Sequence, residues 1–134
     1  MNAKEKTVAL MVTNTGVNLA LTAGEEAVLY TVPTGYTFVP TMVVLRAFSK
    51  DEHGTPPIFT FGIGGGDCDE FLGDQTLNTI TANFASECLM LRPIQAASPV
   101  TGDVIPAGST FSMESTQANG EAMTCTADVF GYLF

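Results

Sequence analysis

The chain has 134 residues, of which 14 are acidic and 5 are basic, so that its net charge is −9. This length suits one domain, and it is enough to bury about two-thirds of the unfolded surface without a metal or a disulfide. The negative charge repels phosphate backbones and anionic lipid surfaces, so we expect neither nucleic acid nor a membrane as a partner.

Charged residues are scarce. They make up 14% of the chain, against roughly 25% in ordinary soluble proteins. Either uncharged polar residues solvate the surface, or other chains cover part of it. Threonine-rich strands allow the first interpretation, and the second predicts an oligomer or a larger assembly.

Apolar residues recur in short alternating blocks separated by Gly, Pro, Asn and Asp. In chain order, the predicted strands cover residues 7–14, 26–32, 36–49, 58–63, 86–91, 103–105, 110–115 and 122–134. Pro33, Thr34 and Gly35 predict a turn, and Pro40 predicts an edge or a bulge within the third strand. Residues 74–85 have room for a helical turn, but their threonines and Ile80 favour extended chain.

These features predict an all-β protein. About eight strands with closely spaced turns and no sustained 3.6-residue period indicate a two-sheet antiparallel sandwich of the jelly-roll kind. We expect one domain over residues 1–134, with a short N-terminal arm at 1–7. The apolar run Val8–Val12 is too short for a signal peptide, and Phe38–Leu45 is too short to span a membrane, so we expect a soluble cytosolic product.

Residues suited to catalysis are few. His53 is the single histidine and lies in a polar loop, and no GxSxG motif accompanies it. Cys68, Cys88 and Cys125 form no CxxC pair, and we expect free thiols that are buried or half-buried. We therefore predict that the chain is not an enzyme and needs no cofactor. A hydrolase on a sandwich scaffold is the least favoured alternative.

A glycine-rich segment, Gly62–Gly66, precedes an acidic loop. The segment lacks the last glycine of a GxGxxG motif and the lysine of a P-loop, so we expect a connection whose glycines adopt positive φ. The acidic side chains that follow are oxygen donors of the type that Ca²⁺ prefers. They are Asp67, Asp69, Glu70 and Asp74. A solvated loop is the simpler interpretation, because an EF-hand pattern breaks at Phe71 and Leu72, and calcium is the alternative.

Several stretches, read in order, resemble small tailed-phage virion proteins. They are Leu29–Phe38 (LYTVPTGYTF), Val43–Arg46 (VVLR), Phe59–Gly64 (FTFGIG), the acidic loop ending in Phe71 and Leu72, and the ending Asp128–Phe134 (DVFGYLF). The resemblance covers about residues 24–134. It implies a capsid cement or decoration protein, or a related head- or tail-associated module, located on the capsid surface of a virion.

The resemblance also implies partners. They are further copies of the chain, expected as a homotrimer, and the major capsid protein. The apolar ending supplies the candidate interface residues, which are Val129, Phe130, Tyr132, Leu133 and Phe134. The alternative function is a receptor- or glycan-binding module of a tail fibre or surface protein, with contacts in loops 51–57 and 64–74.

Overall fold

A computed structural model of the chain describes residues 7–49, 55–77, 88–93, 104–118 and 120–134. Within these ranges the chain forms eight strands and no helix. The strands are β1 (Ala9–Asn18), β2 (Glu26–Thr31), β3 (Phe38–Arg46), β4 (Ile58–Ile63), β5 (Leu72–Thr76), β6 (Cys88–Leu91), β7 (Thr110–Gln117) and β8 (Thr124–Leu133). His53 and residues 1–6 of the predicted arm lie outside the described residues.

The strands form two four-stranded antiparallel sheets. The first sheet has the order β1-β8-β3-β6, and the second has the order β2-β7-β4-β5. Pairing is nested, because β1 pairs with β8, β2 with β7, β3 with β6 and β4 with β5. Successive pairs alternate between the sheets, which is the arrangement of an eight-stranded jelly roll. The predicted fold class is confirmed.

Two predicted elements differ from the structure. The sequence predicts no strand at the position of β5, because Gly73 and Asp74 are poor strand formers. The strand forms because the chain turns back after β4 and pairs Phe61 with Leu72. Conversely, the strand predicted at 103–105 is reduced to an isolated bridge between Ile105 and Phe38, and Asp103 lies outside the described residues.

The predicted turn and bulge are both present. The amide of Tyr36 donates to the Pro33 carbonyl across 3.2 Å, and Gly35 has a φ of +84°. A turn that needs positive φ selects glycine. The pairing of β3 with β8 shifts between Pro40 and Met42, so Pro40 adjoins a bulge inside a central strand and does not mark an edge.

The core lies between the sheets and is rich in phenylalanine. Phe38, Phe59, Phe61 and Phe111 are fully buried. Ring centroids lie 5.9 Å apart for Phe38 and Phe111, and 5.4 Å apart for Phe71 and Phe111, both in edge-to-face geometry. Such pairs stabilise beyond their buried area. Side chains from both sheets therefore fill one shared interior, and function must be sought on the outside.

Candidate functional site

The C-terminal strand β8 distributes its predicted interface residues between two sides of the first sheet. Val129 is fully buried, and Leu133 is half-buried against the core. Phe130 and Tyr132, which alternate with them, point to the outer face. Phe134 is 42% exposed, and its backbone exchanges two hydrogen bonds with Thr37. Val129 therefore belongs to the core, whereas Phe130 and Tyr132 remain on a face that another chain can reach.

The register of the first sheet assembles an apolar row around Phe130. Leu10 of β1 and Met42 of β3 are its direct neighbours on either side. One step further along the sheet, Met90 of the edge strand β6 pairs with Val44. Leu10 is 51% exposed and Met90 69% exposed. We call the outward-pointing side chains Leu10, Val39, Met42, Val44, Met90, Phe130 and Tyr132 the apolar face, within which Val44 is only 8% exposed.

A polar group borders the apolar face. Asp128 accepts a hydrogen bond of 2.7 Å from Arg46 Nε and one of 2.8 Å from the Thr13 hydroxyl. The Arg46 guanidinium holds the pKa of the Asp128 carboxyl below its usual range, and the Thr13 hydrogen bond acts in the same direction. Cys88, opposite Arg46 in the register, is exposed at the same border. The expectation of buried or half-buried thiols was wrong for Cys88, because it points outward at the start of an edge strand, and holds for Cys68 and Cys125.

The acidic loop, residues 64–71, packs against the outer face of the second sheet. Two nearby glycines permit this close approach. A Cβ on Gly62 would lie 2.7 Å from the Glu70 amide, and a Cβ on Gly64 would lie 2.7 Å from the Ser112 hydroxyl. Gly62 and Gly64 do not have a positive φ. Within Gly62–Gly66, Gly65 is the residue with a positive φ. The expectation of positive φ is thus confirmed only at Gly65, because Gly62 and Gly64 serve close contact and not backbone conformation.

The four predicted calcium ligands do not converge. Glu70 turns inward and accepts a 2.8 Å hydrogen bond from the Ile63 amide. Asp74, on β5, accepts one of 3.2 Å from the Thr116 hydroxyl. Asp67 and Asp69 are exposed. Among the described residues, no three of these carboxylates lie within 4.8 Å of one another.

A different group of donor side chains meets beneath the loop. The carboxylates of Glu26 and Glu114 and the thiol of Cys68 have ligand atoms within 4.8 Å of one another. Glu26 on β2 is the direct cross-strand neighbour of Glu114 on β7, and Glu114 is also opposite Thr60 on β4. We call Glu26, Cys68 and Glu114 the acidic-thiol cluster. Sequence reasoning missed it, because the cluster depends on the pairing of β2 with β7 and on the fold of the loop that brings Cys68 onto these strands.

The loop and the strands hold the cluster in place. The Gly65 amide donates to both carboxylate oxygens of Glu26, at 2.9 and 3.1 Å. The Cys68 thiol donates to the Ser112 carbonyl at 3.3 Å. Cys68 has a φ of +50°, which is uncommon for a residue with a side chain. The loop backbone therefore presents Cys68 inward, toward the sheet.

The electrostatics of the cluster are uniformly negative. Burial raises the pKa of the Glu114 carboxyl, and so do the charges of Glu26, Asp67 and Asp69. Burial, followed by the charge of Glu26, raises the pKa of the Cys68 thiol to about 12. The pKa values of Glu114 and Cys68 are thus both displaced toward the neutral form by burial and by nearby negative charge.

No helix in the described ranges is long and apolar enough to cross a membrane. Comparison with known proteins finds no family model that matches the sequence and no similar curated protein. Two surfaces of the described residues are candidates for function: the apolar face of the first sheet and the acidic-thiol cluster on the second.

Proposed function

We propose that the chain is a structural virion protein that decorates or cements a tailed-phage capsid through contacts with copies of itself and with the major capsid protein. The observation that carries this proposal is the apolar face of the first sheet. The sequence resemblance supplies the setting, and the jelly roll is an architecture that viral capsid domains use. A fold does not fix a function, so the surface has to carry the argument.

The apolar face is unusual for a sandwich exposed to water on both sides. Outward positions of antiparallel sheets are normally polar, which gives the alternation of a half-buried strand. Here the row from Leu10 through Phe130 to Met42 is apolar across three strands, and Met90 extends it to the edge. Large exposed apolar patches mark interaction sites in soluble proteins. Covering this face stabilises an assembly by removing apolar area from water.

Charge also favours a structural role on the outside of a capsid. The net charge of −9 keeps the protein from binding the packaged genome non-specifically. Among the described residues no internal pocket opens, and phenylalanines fill the space between the sheets. Binding through an outer surface suits this molecule better than binding inside the sandwich.

Sedimentation velocity of the purified protein tests self-association. We expect a species of about three times the 14.1 kDa chain mass, together with cosedimentation of the protein with capsids of the phage that encodes it. Leu10→Ser combined with Met90→Ser should shift the population toward monomer and reduce capsid binding. Val28→Ser is the matched control, because Val28 is 55% exposed but lies on the second sheet.

Two outcomes would count against the proposal. A protein that stays monomeric at high concentration and does not cosediment with capsids has neither of the proposed contacts. Specific binding on a glycan array that disappears in Asp67→Asn and Asp69→Asn would favour the receptor-binding alternative, since both side chains are exposed on the acidic loop.

A further inference from the structure

The acidic-thiol cluster has a composition that the proposed structural role does not require. Two carboxylates and a thiol, from two strands and the loop that covers them, converge within 4.8 Å. Like charges directly opposite each other in a sheet destabilise it, and Glu26 faces Glu114 in the register. In the part of the chain that the structure describes, the charged groups that act on Glu114 are acidic, namely Glu26, Asp67 and Asp69. The negative charge of the acidic-thiol cluster is therefore not balanced by any of these groups.

A second observation at the same place concerns a buried hydroxyl group. Thr60 is 5% exposed, and its Oγ1 is buried without a hydrogen-bond partner. The register places Thr60 directly opposite Glu114, on the side of the sheet that carries the cluster. A buried hydroxyl without a partner loses the hydrogen bonds it would make to water. An ion held by the cluster, or a water molecule on that ion, would give Thr60 a partner.

We propose that Glu26, Cys68 and Glu114 form a structural zinc site that fastens the acidic loop to the second sheet, with the Thr60 hydroxyl next to the fourth coordination position. Zinc binds thiolate sulfur and carboxylate oxygen, and its structural sites are four-coordinate. Calcium and magnesium prefer oxygen ligands alone, so the thiol favours zinc over either. The site goes beyond the proposed assembly role and does not depend on it.

The distances are compatible with zinc after small side-chain movements. Zinc–oxygen bonds of about 2.1 Å and zinc–sulfur bonds of about 2.3 Å place tetrahedral ligand atoms about 3.5 Å apart. Ligand atoms within 4.8 Å of one another thus have to approach by about 1 Å or slightly more. On binding, the Cys68 thiol releases its proton to solvent, and the ion neutralises two of the three resulting negative charges.

The test uses the full-length protein in a Cys88→Ser background, which removes the one exposed thiol among the described cysteines. Metal-free protein is titrated with Zn²⁺ by calorimetry, and Tm is followed with Zn²⁺, Ca²⁺ and Mg²⁺. We expect one equivalent of Zn²⁺ to bind and to raise Tm, with little response to Ca²⁺ or Mg²⁺. Co²⁺ should show a thiolate charge-transfer band.

Ligand variants and a matched control make the result specific. Cys68→Ser should abolish the Co²⁺ band, and Glu26→Gln and Glu114→Gln should each weaken Zn²⁺ binding at least tenfold. Asp74→Asn is the matched control. It removes a carboxylate charge from β5, outside the acidic-thiol cluster, and should leave zinc affinity unchanged.

Zinc binding that survives Cys68→Ser, or a Tm that does not respond to Zn²⁺, would overturn the proposal. Metal-free Glu114→Gln that is more stable than its parent, together with no zinc binding, would identify the cluster as a pair of repelling carboxylates that binds no ion. Because oligomeric state is measured separately, a failed zinc site and a failed assembly role are distinguishable.

Discussion

At the scale of single residues, alternation along a strand tells which side chains share a face, but not which residues of other strands lie next to them. Val129 and Phe130 were both predicted as interface residues, but Val129 is buried and Phe130 is not, since adjacent side chains of a strand point to opposite faces. The same pattern does not reveal Glu26 and Glu114 as neighbours, because each is simply a polar position in its own strand. Their proximity depends on which strands pair and in which register, and that is a property of the whole sheet.

The Asp128 carboxylate should stabilise the protein in a pH-dependent manner. Its pKa is lowered in the folded state by Arg46 and Thr13, so its contribution is present above the unfolded pKa of about 3.9 and is lost as pH falls through the folded value. We expect Asp128→Asn to cost about 1 kcal/mol at pH 7, because solvent screens the half-exposed Arg46. Urea unfolding at pH 7 and at pH 3 measures the difference, which should shrink at the lower pH. A loss equal at both values would contradict this origin.

Any side chain at Gly131 should lower the stability of the protein for steric reasons. A Cβ there would lie 2.5 Å from Cε2 and 2.9 Å from Cζ of the Phe38 ring and would also clash with the Val39 carbonyl oxygen. Because Phe38 is fully buried and cannot move aside freely, we expect Gly131→Ala to cost about 2 kcal/mol in unfolding free energy. Gly73→Ala is the control, since Gly73 is also in a strand and a Cβ added there would meet no atom within 4 Å. Equal losses in both variants would show that backbone freedom, and not contact, is responsible.

At the scale of elements, the sequence predicts β4 with its observed bounds and most other strands within a few residues. The exceptions have a common physical cause. β5 (LGDQT) has little intrinsic strand preference and forms an edge through its tight connection to β4, so tertiary pairing overrides local propensity. The segment predicted as a strand at 103–105 contributes, among its described residues, an isolated bridge between Ile105 and Phe38, so local pattern again yields to tertiary pairing.

The acidic loop should behave as a cover over Cys68. A Cβ on Gly64 would approach the hydroxyls of Thr110 and Ser112, whereas one on Gly66 would meet nothing within 4 Å. In the Cys88→Ser background, Gly64→Ala should therefore lift the loop and speed thiol labelling of Cys68. A local destabilisation of about 1.4 kcal/mol corresponds to about a tenfold faster rate.

Two internal comparisons make that labelling experiment interpretable. Gly66→Ala should leave the Cys68 rate unchanged. Cys125, buried on β8 in the other sheet, should keep its slow rate in both variants. Faster labelling of Cys125 in Gly64→Ala would mean that the substitution loosens the whole sandwich and not the loop alone.

At the scale of the whole molecule, the two sheets present different outer surfaces. The outer side of the first sheet carries the apolar face with the Arg46–Asp128 ion pair at its border, whereas the second sheet carries the acidic loop and the acidic-thiol cluster. Composition anticipates this in part, because few charged residues leave the surface to uncharged polar side chains or to contacts with other chains. It could not indicate which sheet carries the outward apolar side chains, since that depends on the register that aligns Leu10, Phe130 and Met42.

Cys88 offers a direct measurement of that asymmetry in solution. It is exposed, and it lies two residues from Met90 on the same side of β6, at the border of the apolar face. If copies of the chain associate through this face, raising the protein concentration should slow thiol labelling of Cys88, because the partner covers it. The Leu10→Ser and Met90→Ser double variant should label rapidly at every concentration, and Val28→Ser should retain protection. A labelling rate independent of concentration, in a protein that sedimentation shows to be oligomeric, would assign assembly to a different surface.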